Sequence, residues 1–199
     1  MSALLLASRS PARIAMLEAA GISFVATAAT VDEEAMKAAL LADGRDGRDI
    51  ADALAELKAM KVSHIHPDAF VLGCDSTVVA ADDTLVSKAG TREEAHAQLC
   101  ALAGTTHRLH SAAVVAQGGQ AIWRHVDTAR LTMRAFSDAF LHAYLDAEWP
   151  AIGGCVGGYR LEGRGVQLFD RIDGSHFTIL GLPLLPLLAW LRARGMVAA

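Results

Sequence analysis

A run of apolar and β-branched side chains broken by one carboxylate, Val71-Leu-Gly-Cys-Asp-Ser-Thr-Val-Val79, limits the possible folds of this chain more than any other stretch. It reads as a buried central strand in which Asp75 follows the small pair Gly73-Cys74. An unpaired buried carboxylate is costly or stays protonated, so Asp75 requires a cation, a metal or a catalytic proton. The alternative is a strand that ends near Gly73, with Asp75 merely starting a turn.

At 199 residues, with 53% hydrophobic and 20% charged side chains, the chain can bury a sizeable core, and one compact unit is expected. Its net charge of −4 gives no electrostatic footprint for a nucleic-acid polymer or an anionic membrane. An anionic substrate must therefore be met by a few placed Lys and Arg side chains. Cys74, Cys100 and Cys155 show no paired spacing, so neither a disulfide framework nor a zinc cluster is indicated, and a reducing cytoplasm fits. The apolar run from Ala3 to Ala7 is too short for a signal segment. Ile179 to Leu191, which contains Pro183 and Pro186, is too short to span a membrane.

In chain order, Ala3 to Ala7 reads as a short strand leading through Ser8-Arg-Ser10 into a helix with Ser10 as N-cap and Pro11 at its first position, ending at Gly21. Backbone N–H groups, hydroxyls and guanidinium groups converge at such a helix start, which suits an anion. An ordinary capped helix with solvated arginines accounts for the same residues. A second strand is expected over Ile22 to Ala26, a short helix over Ala35 to Leu41, and a longer helix from Asp49 to about Val62, with Lys58 snorkelling from the edge of its apolar face. After the Asp75 strand, Thr84-Leu-Val-Ser-Lys88 reads as its hairpin partner. Helices capped by Thr91 and Ser137 flank strands over Ser111 to Ala116, Ala121 to Val126 and Ala129 to Arg134. Phe177 to Leu180 is expected as the last buried strand and Leu184 to Arg194 as the closing helix.

The histidines His64, His66, His107 and His110 lack a metal-binding frame and read as loop and surface residues. The glycines from Gly153 to Gly165 form no dinucleotide fingerprint, and there is no P-loop or nucleophile elbow. What remains is a set: Ser8, Ser10 and Arg13 at a helix start, Lys58 and Lys88 as point cations, and the carboxylates Glu33 and Asp75. Such a set suits a polyphosphate and its Mg²⁺, with cations on phosphate oxygens and carboxylates on metal or water.

Together these segments resemble the Maf-like nucleoside triphosphate pyrophosphatases over nearly the whole chain. The stretches that carry the resemblance are Leu6-Ala-Ser-Arg-Ser-Pro-Ala-Arg13, Val31-Asp-Glu33, Leu57-Lys-Ala59, Gly73-Cys-Asp-Ser76, Ser87-Lys88, Gly104 to His107, Gly157-Gly-Tyr159, Glu162-Gly163 and Gly181-Leu-Pro-Leu184. The resemblance implies a single cytoplasmic domain over 1–199 of α/β class, with a central mixed sheet flanked by helices and a cleft between two lobes, active as a homodimer. It implies hydrolysis of a nucleoside triphosphate to a monophosphate and pyrophosphate with Mg²⁺ or Mn²⁺. Asp75 would activate water, Ser8, Ser10, Arg13, Lys58 and Lys88 would bind phosphate, and Glu33 with Asp75 would hold the metal. A nucleotide-binding regulator of cell division or septum formation is the alternative. Members specific for dTTP and UTP typically carry Arg, Thr, Lys and Gln where this chain has Ala12, Ser76, Cys155 and Glu162. Members acting on 7-methyl-GTP share the Cys and Glu but differ at 12 and 76. The resemblance thus makes Ala12, Ser76 and Glu162 the specificity candidates, closer to the 7-methyl-GTP type, and because a Glu at 162 can accept hydrogen bonds from a guanine amino edge, a modified or ordinary purine triphosphate is favoured.

Overall fold

The computed structural model describes residues 3–198. In chain order its elements are β1 (Leu4–Leu6), α1 (Pro11–Ala19), β2 (Val25–Ala26), α2 (Glu33–Ala42), α3 (Gly47–Ile65), β3 (Phe70–Val79), β4 (Leu85–Val86), α4 (Arg92–Leu102), β5 (Thr106–Gln117), β6 (Gln120–Met133), α5 (Asp138–Glu148), β7 (Phe169–Asp173), α6 (His176–Ile179) and α7 (Leu184–Ala193). The strands form one mixed sheet in the order β2-β1-β3-β5-β6-β7, with β4 paired to β3. β1 runs parallel to both β2 and β3, whereas the β3–β4 and β6–β7 pairs are antiparallel. The expected mixed α/β sheet is present.

The chain divides into two compact units. The first comprises Met1–Ser76, His110–Asp127 and His176–Ala199, and the second Thr77–Leu109 and Thr128–Ser175. In the first unit, alternation along the strands sends side chains to two separate cores. Leu72 and Cys74 of β3 and Ala113 and Val115 of β5 meet Met16 and Leu17 of α1 and Leu187, Trp190 and Leu191 of α7. The opposite face packs Ala112, Val114 and Ala116 against Ala51, Ala55 and Ala59, while Val62 meets Leu5 and Val71. An alanine-lined helix can approach its sheet closely, and Gly73 is where α3 does so: a Cβ there would lie 2.1 Å from the Ala55 carbonyl oxygen and 2.6 Å from the Ala59 nitrogen.

The second unit is built on α4 and α5, which bury Ala95, Leu99 and Leu102, and Leu141, Tyr144 and Leu145. Both expected caps are made: the Thr91 side chain accepts from the Glu94 N–H and the Ser137 side chain from the Phe140 N–H.

Four expectations are corrected. Phe177 to Leu180 is no strand: His176–Ile179 is a helical turn closed by the Leu180 N–H on the His176 carbonyl, and Gly181 at φ +97° ends it. A four-residue run of three apolar side chains and Thr178 is too short to carry a period that separates strand from helix. The two strand segments expected on either side of Asp127-Thr128 are one strand, β6, and the Asp127 carboxylate there accepts a hydrogen bond from the Thr178 hydroxyl at 2.6 Å. β4 stops at Val86, short of Lys88. His107 and His110 lie buried on β5 rather than on a surface loop.

Candidate functional site

β1 pairs with β3 only as far as Leu6↔Leu72, so the residues after Leu72 run past the end of their parallel neighbour. Asp75 falls there, 6% exposed. Its partner is a cation: Lys58 Nζ donates to Asp75 Oδ1 at 2.5 Å and lies 2.8 Å from Glu33 Oε1. Lys58 is itself buried, contrary to the expected snorkelling, because the close approach of α3 at Gly73 carries it under the sheet. Glu33 opens α2, with Asp32 as its cap. The requirement that a buried Asp75 have a cation is thus met within the chain. Asp75 and Glu33 thus converge on the Lys58 ammonium, which fills the point between them, and they are the hard oxygen donors of this cluster that could hold a divalent ion.

On the opposite face of β3, Ser76 belongs to a second network. The Arg13 guanidinium is held at three points, donating from Nε to the Gly181 carbonyl (2.7 Å), from Nη1 to Ser8 Oγ (3.3 Å) and from Nη2 to Ser76 Oγ (3.1 Å). Ser76 Oγ is 2.8 Å from Ser111 Oγ, which donates to the Thr178 carbonyl at 2.7 Å. A hydroxyl has one proton to give, so the chain has a direction: Arg13 donates to Ser76, Ser76 to Ser111, and Ser111 to Thr178. Gly181 completes the seat, since a Cβ there would lie 3.2 Å from the guanidinium. Ser10 stands at the N-cap position of α1 but makes no side-chain cap; instead its backbone N–H donates to Ser8 Oγ at 3.2 Å. Ala12 sits half-buried in the first turn.

Arg13, Lys58 and Asp75 all act on the Cys74 thiol between them, but burial dominates and pushes that thiol up to about 11. Cys74 therefore stays protonated and is no nucleophile.

Lys88, Cys155 and Glu162 come together in the second unit. Burial raises the Cys155 thiol, Glu162 and Glu148 push it further, and Arg160 and Lys88 oppose them. Sequence reasoning missed the clamp that holds the Glu162 loop. Buried Glu148 accepts from Arg160 Nη2 at 2.8 Å and from the Arg164 N–H at 3.3 Å, and the Arg160 bond holds its carboxyl below the usual range. Nothing in the spacing of Glu148 and Arg160 marks them as partners. Ser87 also lines a hollow of about 540 Å³ with Val86, Gln98, Leu102 and Thr105, whose charged lining is Asp82 alone. A hollow without a cation does not suit a polyphosphate.

The sequence model of the family described as Maf-like protein matches residues 3–194. A protein of Sphingopyxis alaskensis named nucleoside triphosphate pyrophosphatase is 51% identical, covering 97% of this chain and 98% of its own length. Proteins of the same name from Ruegeria pomeroyi (50% identical, 98% and 97%) and Caulobacter vibrioides (53% identical, 96% and 94%) are similar over the same span.

Proposed function

This chain belongs to the Maf-like protein family, and on that premise we propose that it is a nucleoside triphosphate pyrophosphatase, cleaving between the α and β phosphates to leave a nucleoside monophosphate and pyrophosphate. The observation that carries the reading is the cluster of buried Asp75 and Lys58 with Glu33 past the end of β1, one residue along β3 from Ser76, which anchors Arg13. Ligands of open α/β sheets gather at the carboxyl ends of parallel strands, which is where the chain leaves β1 through Ser8 to Ser10 into the first turn of α1.

In this mechanism Lys58 holds Asp75 Oδ1 and leaves Oδ2 to take the proton of the attacking water. The proton passes to the carboxylate as the water oxygen bonds to phosphorus and the anhydride oxygen leaves. Arg13, fixed at Ser8, Ser76 and Gly181, presents a preorganised charge to the phosphates, joined by Ser8, Ser10 and the first N–H groups of α1. Lys88 is assigned a phosphate contact, and Ala12, Ser76 and Glu162 the choice of base, with Glu162 favouring a guanine amino edge. Asp75 and Glu33 would hold Mg²⁺ or Mn²⁺, which when bound neutralises phosphate charge. The family resemblance extends the reading to a cytoplasmic homodimer.

Asp75→Asn keeps the size of the side chain and an oxygen for Lys58 while removing the base. We expect pyrophosphate release to fall by roughly 10²–10⁴-fold in a protein that still melts cooperatively. Unchanged turnover would remove Asp75 from the chemistry.

A further inference from the structure

Away from this cluster, α4 and α5 of the second unit bring two imidazoles and a carboxylate to one point. Asp138 and His142 stand four residues apart on α5 and so share a face, and His96 meets them from α4. His96 Nε2 is 3.1 Å from Asp138 Oδ1, and His142 Nε2 is 3.3 Å from Asp138 Oδ2. All three ligand atoms lie within 4.8 Å of one another. Ligands bound tetrahedrally at 2.0–2.1 Å are separated by roughly 3.3–3.4 Å, so the spacing needs little adjustment to close on an ion.

Three further features favour a ligand. Cys100 Sγ lies 3.7 Å from His96 Nδ1, which orients the ring with Nε2 toward Asp138, as a neighbouring group does for a metal-bound histidine. Ser137, not Asp138, caps α5, so the Asp138 carboxylate is not taken up by the helix end. The Arg92 guanidinium beside α5 is tied to Asp146 and to the His142 carbonyl, not to Asp138.

We propose that His96, Asp138 and His142 form a binding site for a borderline divalent cation of the Zn²⁺, Ni²⁺ or Co²⁺ class, clipping α4 to α5. Two imidazoles and one carboxylate select such ions over Mg²⁺ or Mn²⁺, which prefer oxygen donors, so the site differs in chemistry from Asp75 and Glu33. It leaves a fourth position open and lies on accessible surface, with the His142 side chain half exposed. It stands independently of the reaction proposed above.

The test is calorimetric titration of the full chain with Zn²⁺ under excess Mg²⁺, repeated with Co²⁺ to read its visible absorption. One tight site is expected, with the intense bands of low-coordinate Co²⁺ and a raised melting temperature. His96→Gln and His142→Gln, each removing a direct ligand, should weaken binding by more than the roughly 10–100-fold that losing an outer partner of a ligand costs, while His64→Gln, at an exposed histidine outside the cluster, should not. The proposal is overturned if Zn²⁺ shows no saturable binding, or if binding and Co²⁺ bands survive in both cluster variants.

Discussion

Removing Lys58 would strand the buried carboxylate of Asp75, and breaking a buried pair from one side costs several kcal/mol. Asp75→Asn is therefore the substitution that separates chemistry from folding. His107 offers a test of burial itself. Its ring is fully buried with Nε2 2.8 Å from the Tyr159 hydroxyl, and burial lowers its pKa from 6.5 to about 4. Between those values the unfolded chain binds more protons than the folded one, so stability falls as pH drops from about 6.5 to about 4. The whole interval is worth roughly 3 kcal/mol. His107→Gln should flatten that part of the stability curve measured by urea melts at stepped pH, and an unaltered slope would show that His107 does not titrate this way. At this scale Asp75 was legible because a charge in an apolar strand needs a partner, whereas the burial of Lys58 against it was not, because a Lys at the edge of an apolar helix face is expected to snorkel. The buried place of His107 was not legible, since a polar ring in a Gly-Thr-Thr-His-Arg run has no apolar period around it.

Between α3 and β3, the approach at Gly73 places Lys58 beneath Asp75. A Cβ at position 73 meets helix backbone, not a flexible side-chain end, so Gly73→Ala must push α3 outward. The expected result is a loss of roughly 1–3 kcal/mol in denaturant unfolding together with reduced pyrophosphate release. Gly154→Ala, where a Cβ meets nothing within 4 Å, is the control and should change neither. Equal behaviour of the two variants would show that the close contact does not position Lys58. Elements with local chemical signals were readable in advance: Pro11 opens α1, and Thr91 and Ser137 cap α4 and α5. Those fixed by tertiary partners were not. The turn His176–Ile179 depends on packing of Phe177 and Leu180 against the first unit's core, and the unbroken β6 passes Asp127 with Thr178 bonded to it. The cluster of His96, Asp138 and His142 left only half a signal, an i,i+4 Asp/His pair on one helix, because its third member comes from a different helix.

Across the whole molecule, the resemblance rests on short stretches distributed over the chain, and the match to the Maf-like family over residues 3–194 covers both compact units. The first unit holds Ser8, Arg13, Glu33, Lys58 and Asp75, and the second holds Lys88, Cys155 and Glu162. Among the described residues no helix is long and apolar enough to cross a membrane. The most direct measurement is product identification on a panel of dTTP, UTP, CTP, GTP and 7-methyl-GTP, with and without Mg²⁺ or Mn²⁺. Metal-dependent formation of equal amounts of nucleoside monophosphate and pyrophosphate is predicted, with a guanine nucleotide preferred and that preference lost in Glu162→Gln. Release of inorganic phosphate and a nucleoside diphosphate instead, or no product from folded protein across the panel, would contradict the assignment of this chain as a nucleotide pyrophosphatase.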